Sequence, residues 1–444
     1  RGLRSAATRI SARHSSTLSP TNLVNMFKQV LLALFLVLGV NSVELISKYG
    51  YYADSQRVYT QDDYILEIHR ISGSPKSPPQ AGKPVVFLMH GLLGDSANYI
   101  LSGPEKGLAF ILADAGFDVW LGNARGNAYS RKHVSLTTAD EEYWSFSWHE
   151  IGVYDLPAMI DHVLQTTGQP NLFYIGHSQG CTTFFVMAAE RPEYHGKIKA
   201  MFALAPAVYC GRMPHPFFQA LSLIHDKLVT KLIGMNEFQP TNECVAQLGT
   251  MMCNDEAITQ PICHNVFFLI GGINKQALNM SLVPIIIGHS PAGASVKQFV
   301  HYAQLVKSGR FRQFDHGLLR NMRIYGKALP PKYDLTNIKV PIYIFYGTND
   351  VLVGDVHQLV NELGPTAAKF RVPDDRFGHL EFLWGCKVKE FVYDKNITRV
   401  EITKSHPIKL LANDSAGSPL SLPEPSELLP PERVPRLSSV LGAR

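Results

Sequence analysis

Charge is scarce in this chain and long apolar runs are missing, and each shortage removes a class of function. Charged side chains make up 18% of the 444 residues, and the formal net charge is only +5. The lysines and arginines are scattered rather than gathered into runs that track phosphates, so no nucleic acid partner is expected. No uninterrupted stretch reaches the ~20 apolar residues of a bilayer span, so no transmembrane anchor is expected either. Six cysteines, at 181, 210, 244, 253, 263 and 386, are too few and too dispersed for a disulfide scaffold, and none forms the paired C-x-x-C of a zinc site. No metal and no other cofactor is expected. Cys244 and Cys253 close a short loop and are the candidates for one local bridge, whereas Cys181 reads as a small buried apolar residue.

What is present is material for a large core, with 45% of the side chains hydrophobic. Residues 26–42 read as a signal peptide, with Lys28, an apolar run over 30–40 and small residues that suit cleavage after Ser42. Residues 1–25 contain neither an acid nor a methionine but carry Arg1, Arg4, Arg9 and Arg13. They read as translated upstream sequence in preference to a mitochondrial transit peptide. Sequons at Asn279, Asn396 and Asn413 agree with a secretory route. Residues 404–444, rich in Pro and Ser and poor in aromatics, read as a disordered tail.

Between these ends, β-branched apolar runs alternate with helical stretches. The runs are Val85–Met89, 117–121, 172–175, 201–204, Ile342–Tyr346 and 370–372. Such alternation predicts an α/β fold with a mostly parallel sheet flanked by helices, its core divided into 43–207 and 336–403. The rhythm fails over 208–335, where Met, Phe, Pro and Cys become frequent, and this stretch reads as a helical insertion.

Gly176-His177-Ser178-Gln179-Gly180 follows the apolar run NLFYI and precedes the helix-compatible CTTFFVMAAERP. A serine at such a strand-to-helix turn is a nucleophile elbow, crowded enough that both flanking positions want glycine. A serine hydroxyl is a poor nucleophile near neutrality and needs a histidine to take its proton and a carboxylate to orient that histidine. In the chain order Ser, acid, His, the candidates are Asp350, ending PIYIFYGTND, and His379, in PDDRFGHLEF. Asp350 has an alternative role as a helix N-cap, with Asp355 the nearest substitute acid. His357 competes with His379 but falls on a helix as an ordinary exposed residue, and Asp374 and Asp375 read as turn residues. A tetrahedral intermediate needs two amide donors, for which Gln179 and, in the loop His90-Gly91-Leu92-Leu93-Gly94, Leu92 are the candidates. His90 is expected to hydrogen-bond structurally, Arg125 to pair with Asp155, and YWSFSW (Trp144, Phe146, Trp148) to pack as a half-buried strand.

Several long blocks, HGLLGDSANYI, DVWLGNARGNAYSRKH, FSWHEIGVYDLPAMID, FYIGHSQG, HSPAGASVKQFVHYAQ, YGTND and GHLEFLWG, together resemble the animal acid lipases of gastric and lysosomal type, with their insect relatives. The resemblance runs over about 43–393. It implies an α/β-hydrolase fold with a helical cap and lid over a deep apolar pocket, and metal-free hydrolysis of triacylglycerols or cholesteryl esters. It also implies the Ser178, Asp350, His379 triad, the Leu92 and Gln179 oxyanion hole and a Cys244–Cys253 bridge. The expected partner is a lipid ester at a lipid–water interface, and the expected location is secreted or lysosomal, with glycans at Asn279 and Asn396. A short-chain esterase or phospholipase shares this chemistry. A non-catalytic lipid carrier has no need of the complete set, and dehalogenase or epoxide hydrolase chemistry wants an aspartate at position 178.

Overall fold

A computed structural model describes residues 41–223, 236–238, 271, 277–278 and 282–395. Nine strands form one sheet: β1 (Tyr52–Tyr59), β2 (Tyr64–Gly73), β3 (Val85–Met89), β4 (Asp118–Leu121), β5 (Lys132–His133), β6 (Leu172–His177), β7 (Ile198–Leu204), β8 (Ile342–Tyr346) and β9 (Ala367–Arg371). Their order is β1-β2-β4-β3-β6-β7-β8-β9, with β5 paired to β2. From β4 to β9 every pairing is parallel, while β1, β2, β4 and β5 meet through antiparallel ladders. The central strands β3 and β6 are buried along their whole length, as expected where helices cover both faces of a parallel sheet.

The α/β alternation is therefore realised, with two differences. The antiparallel pair β1 and β2 lies outside the alternation argument, because these strands are joined by the tight turn around Asp63 rather than by a helix. At the other edge, β9 begins at Ala367, earlier than the run 370–372. Ala367, Ala368 and Lys369 carry little β-propensity, yet the ladder from Ile342↔Ala367 to Tyr346↔Arg371 recruits them.

The covering helices are legible from their stripes and stops. Helix α1 is Ser42–Lys48, α2 Leu108–Asp114 and α3 Leu156–Thr167. In α3 the buried Leu156, Met159, Ile160 and Val163 recur at helical spacing, Pro157 lies in the first turn, and Gly168 ends the helix at φ +67°. Helix α4 (Gln179–Glu190) leaves the elbow, and α5 (Pro216–Leu223) packs on α6 (Val296–Ser308) through Phe218 against Phe299. Helices α7 (Val356–Leu363) and α8 (Glu381–Trp384) complete the second part of the core.

Three expectations differ or fall outside view. The segment YWSFSW is not a strand: Glu142–Trp144 forms a 3-10 turn, Trp148–Glu150 a short helix, and Trp144, Phe146 and Trp148 are all buried. Their alternation reflects a coil buried on every side, with Trp148 stacked on His301 at 3.6 Å. The proposed leader, 26–42, lies outside the described residues except for its last two positions, which pack in the structure. Ser42 is fully buried, its amide and hydroxyl meet the Tyr129 hydroxyl at 3.0 and 2.8 Å, and Asn41 caps α1 by accepting from the Glu44 amide. Cys244, Cys253, Asn279 and Asn396, much of the insertion and all of 404–444 lie outside the described residues.

Candidate active site

The parallel strands deliver the candidate residues to one edge of the sheet, where α/β folds place their sites. Ser178 follows β6 with φ +53° and ψ −115°, a backbone strain that a serine accepts only when its surroundings enforce it. The enforcement is visible. Its amide donates to the Leu204 carbonyl at the end of β7, and the Tyr174 hydroxyl donates to the Gly180 carbonyl at 2.8 Å. A Cβ on Gly176 would lie 2.7 Å from the Gly180 carbonyl carbon, and one on Gly180 would lie 2.2 Å from the Met89 oxygen. Both elbow glycines are thus required by backbone contact.

Asp350 and His379 come from the loops after β8 and β9. His379 Nδ1 lies 2.8 Å from Asp350 Oδ2 and 3.0 Å from Oδ1, with both side chains buried. Because an ionised carboxylate only accepts, Nδ1 carries the proton and Nε2 is left as the basic nitrogen. Asp350 Oδ1 also accepts from the amides of Leu352 and Val353 at 2.9 and 3.0 Å, which fixes its carboxylate. The two loops meet backbone to backbone: a Cβ on Gly347 would lie 2.1 Å from the Phe377 carbonyl oxygen. Asn349 donates to the Arg376 carbonyl at 3.2 Å, and Glu381 accepts from the Gly378 amide at 3.0 Å.

The loop after β3 closes over the elbow, so that a Cβ on Gly91 would come within 3.0 Å of Ser178 Cβ. Leu92 lines a cavity together with Ser178 and His379. Its other walls include Leu93, Ala207, Leu352 and Leu380, with Met213 and Phe218 contributed by the insertion. Gln179 opens α4, where a first-turn amide has no intrahelical acceptor, and its side chain is held by Gln298 at 2.9 Å. The arrangement places a serine hydroxyl and an imidazole bonded to a carboxylate on one apolar chamber.

With this geometry in place, the comparisons with known proteins are direct. A family model described as alpha/beta hydrolase fold matches residues 84–385, and one described as partial alpha/beta-hydrolase lipase region matches residues 42–103. Lipase 3 of Drosophila melanogaster is 45% identical over 362 residues, covering 81% of this chain and 92% of that protein. The chain belongs to the acid-lipase family of α/β-hydrolases. The lysosomal acid lipase/cholesteryl ester hydrolase of Homo sapiens is 40% identical over 363 residues, covering 81% and 90%. The gastric triacylglycerol lipase of Mus musculus is 39% identical over 364 residues, covering 81% and 91%. A solved structure from Sulfolobus solfataricus, 13% identical, matches in fold with a TM-score of 0.52 over 79% of this chain and 94% of its own.

In this acid-lipase family member the competing candidates have other employment. His357 is exposed on α7 and meets Lys369 at 2.7 Å, and Asp355 caps that helix by accepting from the Gln358 amide. Asp374 accepts from the Arg376 amide, and Asp375 pairs with Arg371. His90 Nδ1 donates to the Gly91 carbonyl while its Nε2 accepts from the Ala124 amide, and burial pushes its pKa down to about 4, so it stays neutral. Arg125 binds Asp155 at 2.6 Å and, unforeseen from sequence, also Asp62 at 2.6 Å, beneath the Tyr64 ring. Burial alone would lower the Arg125 pKa, but the two carboxylates outweigh it and keep the guanidinium charged.

Two further residues at the site were not found by sequence reasoning. His177 Nε2 donates to the His379 carbonyl at 3.1 Å, tying the elbow to the loop of the candidate base, and its burial holds it neutral. Asn98 also lines the cavity. Only the adjacency of His177 to the elbow serine pointed its way.

Proposed function

We propose that this chain hydrolyses the carboxylic ester bond of neutral lipids, with Ser178 as nucleophile, His379 as base and then acid, and Asp350 as the group that orients it. The observation that carries the reading is the convergence of Ser178 and the Asp350-bound His379 on one apolar cavity. The lipases of known activity among its relatives supply the substrate class.

In the reaction, Ser178 Oγ attacks the ester carbonyl as His379 Nε2 takes its proton, and the oxyanion is met by the Leu92 and Gln179 amides. Collapse expels the alcohol, which receives the proton from Nε2, and leaves an acyl-enzyme on Ser178. Water, deprotonated by the same nitrogen, then releases the fatty acid. An oriented imidazole with Nδ1–H held by Asp350 supports both proton transfers without a metal. The expected compartment is secreted or lysosomal. One relative is named lysosomal, and no helix among the described residues is long and apolar enough to cross a membrane.

The test is hydrolysis of emulsified long-chain triacylglycerol and of a soluble short-chain ester by wild type and Ser178→Ala. Removing the hydroxyl should lower kcat about a millionfold on both while leaving the melting temperature nearly unchanged. Activity on the short ester alone would retain the mechanism and remove the lipid assignment, and activity surviving in Ser178→Ala would remove the nucleophile.

A further inference from the structure

The helix Leu318–Tyr325 turns its most apolar residues outward. Leu319 is 83% exposed, Leu318 63% and Met322 51%, while the polar Asn321 is buried. Ile324 and, just after the helix, Leu329 are also more than half exposed. At ~100° per residue, Leu318, Met322 and Leu319 share one arc, and Arg323 and Arg320 come next around the helix.

This inversion is held from within. Asn321 Nδ2 donates to Asp315 Oδ1 at 2.8 Å and to the Ala328 carbonyl at 2.9 Å, and its Oδ1 accepts from the His316 amide at 2.9 Å. The Tyr325 hydroxyl donates to the Phe314 carbonyl at 2.9 Å, and the Asp315 amide donates to the Gln304 side chain on α6 at 2.8 Å. A polar hub thus fixes the helix to the body of the protein and leaves its outer face in water. Contiguous apolar side chains kept in water on an ordered element mark an interaction surface.

Charge selects the partner. From His316 to Lys332 the chain contains no acid and carries Arg320, Arg323, Lys327 and Lys332. All four are exposed, and none pairs with a carboxylate among the described residues. An apolar stripe bordered by such cations matches an anionic phospholipid surface, whose phosphates meet the cations while its acyl boundary takes up the leucines and methionine. A neutral oil surface answers only the apolar half. No residue of this stretch lines the cavity of Ser178.

We infer that the helix Leu318–Tyr325, with Lys327 and Leu329 after it, docks the protein on anionic phospholipid surfaces, independently of the reaction at Ser178.

The experiment sediments the full chain at low salt with vesicles of phosphatidylglycerol and phosphatidylcholine, or of phosphatidylcholine alone. Wild type should bind the anionic vesicles about tenfold more tightly or better. Arg320→Gln, Arg323→Gln and Lys327→Gln together should weaken that binding on the order of 100-fold, and Leu318→Ser with Leu319→Ser about tenfold. Because these side chains are exposed, the melting temperature should not move. Lys48→Gln, Arg57→Gln and Lys132→Gln together remove the same charge from other exposed positions and should leave binding unchanged. Wild type binding neither vesicle, or both equally, overturns the proposal. So does an equal loss in the control, which would leave net charge as the cause, or wild-type binding in either helix variant. A dimer abolished by the leucine substitutions with vesicle binding intact would reassign the face to a second copy of the chain. Binding is read without turnover, so a chain inactive on every ester overturns the lipid-ester reading and not this one.

Discussion

Replacing Gly180 by alanine should cripple turnover more than it unfolds the protein. The new Cβ would lie 2.2 Å from the Met89 carbonyl oxygen and 2.9 Å from that of His90, where an ordinary contact begins at 3.4 Å. Relief therefore requires a separation of about 1.2 Å between the start of α4 and the end of β3, because the clashing atoms are backbone and cannot rotate away. That movement pulls Leu92 away from Gln179, the two amides proposed to share one oxyanion. A misplacement of about 1 Å costs on the order of 100-fold, and loss of one oxyanion donor costs roughly 100- to 1,000-fold in kcat. Overpacking of this kind lowers stability by about 1–3 kcal/mol, which leaves a folded enzyme to assay. The measurement is kcat and KM on a soluble ester, with thermal unfolding in parallel. Gly196→Ala serves as the control, since its Cβ would meet nothing within 4 Å. Gly180→Ala within threefold of wild-type kcat would refute the argument that these amides are held in place by backbone contact across Gly180.

Two other outcomes follow from the same geometry. Asp350→Asn should leave the fold intact but lower kcat about 10,000-fold, because Nδ1 of His379 loses the acceptor that fixes its tautomer; a loss below tenfold in steady-state assays would remove Asp350 from the role. Asp95, buried and bonded through Oδ1 to the Ala97 amide, has its pKa raised by burial to about 7, against about 4 in the unfolded chain. The native state then keeps a proton that the unfolded state has released, so this group's contribution to stability falls as pH rises from about 4 to 7 and levels off above. Asp95→Asn removes the titration. Denaturant unfolding should show wild type losing a few kcal/mol relative to the variant across that window, and a pH-independent difference would refute it.

Sequence by itself determined the parallel core, the strand-turn-helix at Ser178 and the candidate order Ser178, Asp350, His379. These rest on short-range patterns, such as apolar runs of strand length, glycines at i−2 and i+2 of the serine, and acid and histidine in loops after strands. What sequence could not carry was contact between distant segments. That His379 rather than His357 meets Asp350 depends on how the loops after β8 and β9 dock through Gly347 and Phe377. The antiparallel β1–β2 pair escaped an argument tuned to helix-linked strands, and β9 was lengthened by its ladder against its own composition. YWSFSW shows the converse error: alternation marks a strand only when one face meets solvent, and here every aromatic is enclosed. Asp62 joining Arg125, and the apolar chamber over Ser178, arise from packing across 63 residues and from a cavity assembled by several loops. Tertiary structure alone decided them, because burial and the identity of a hydrogen-bond partner are properties of the whole fold rather than of any window of sequence.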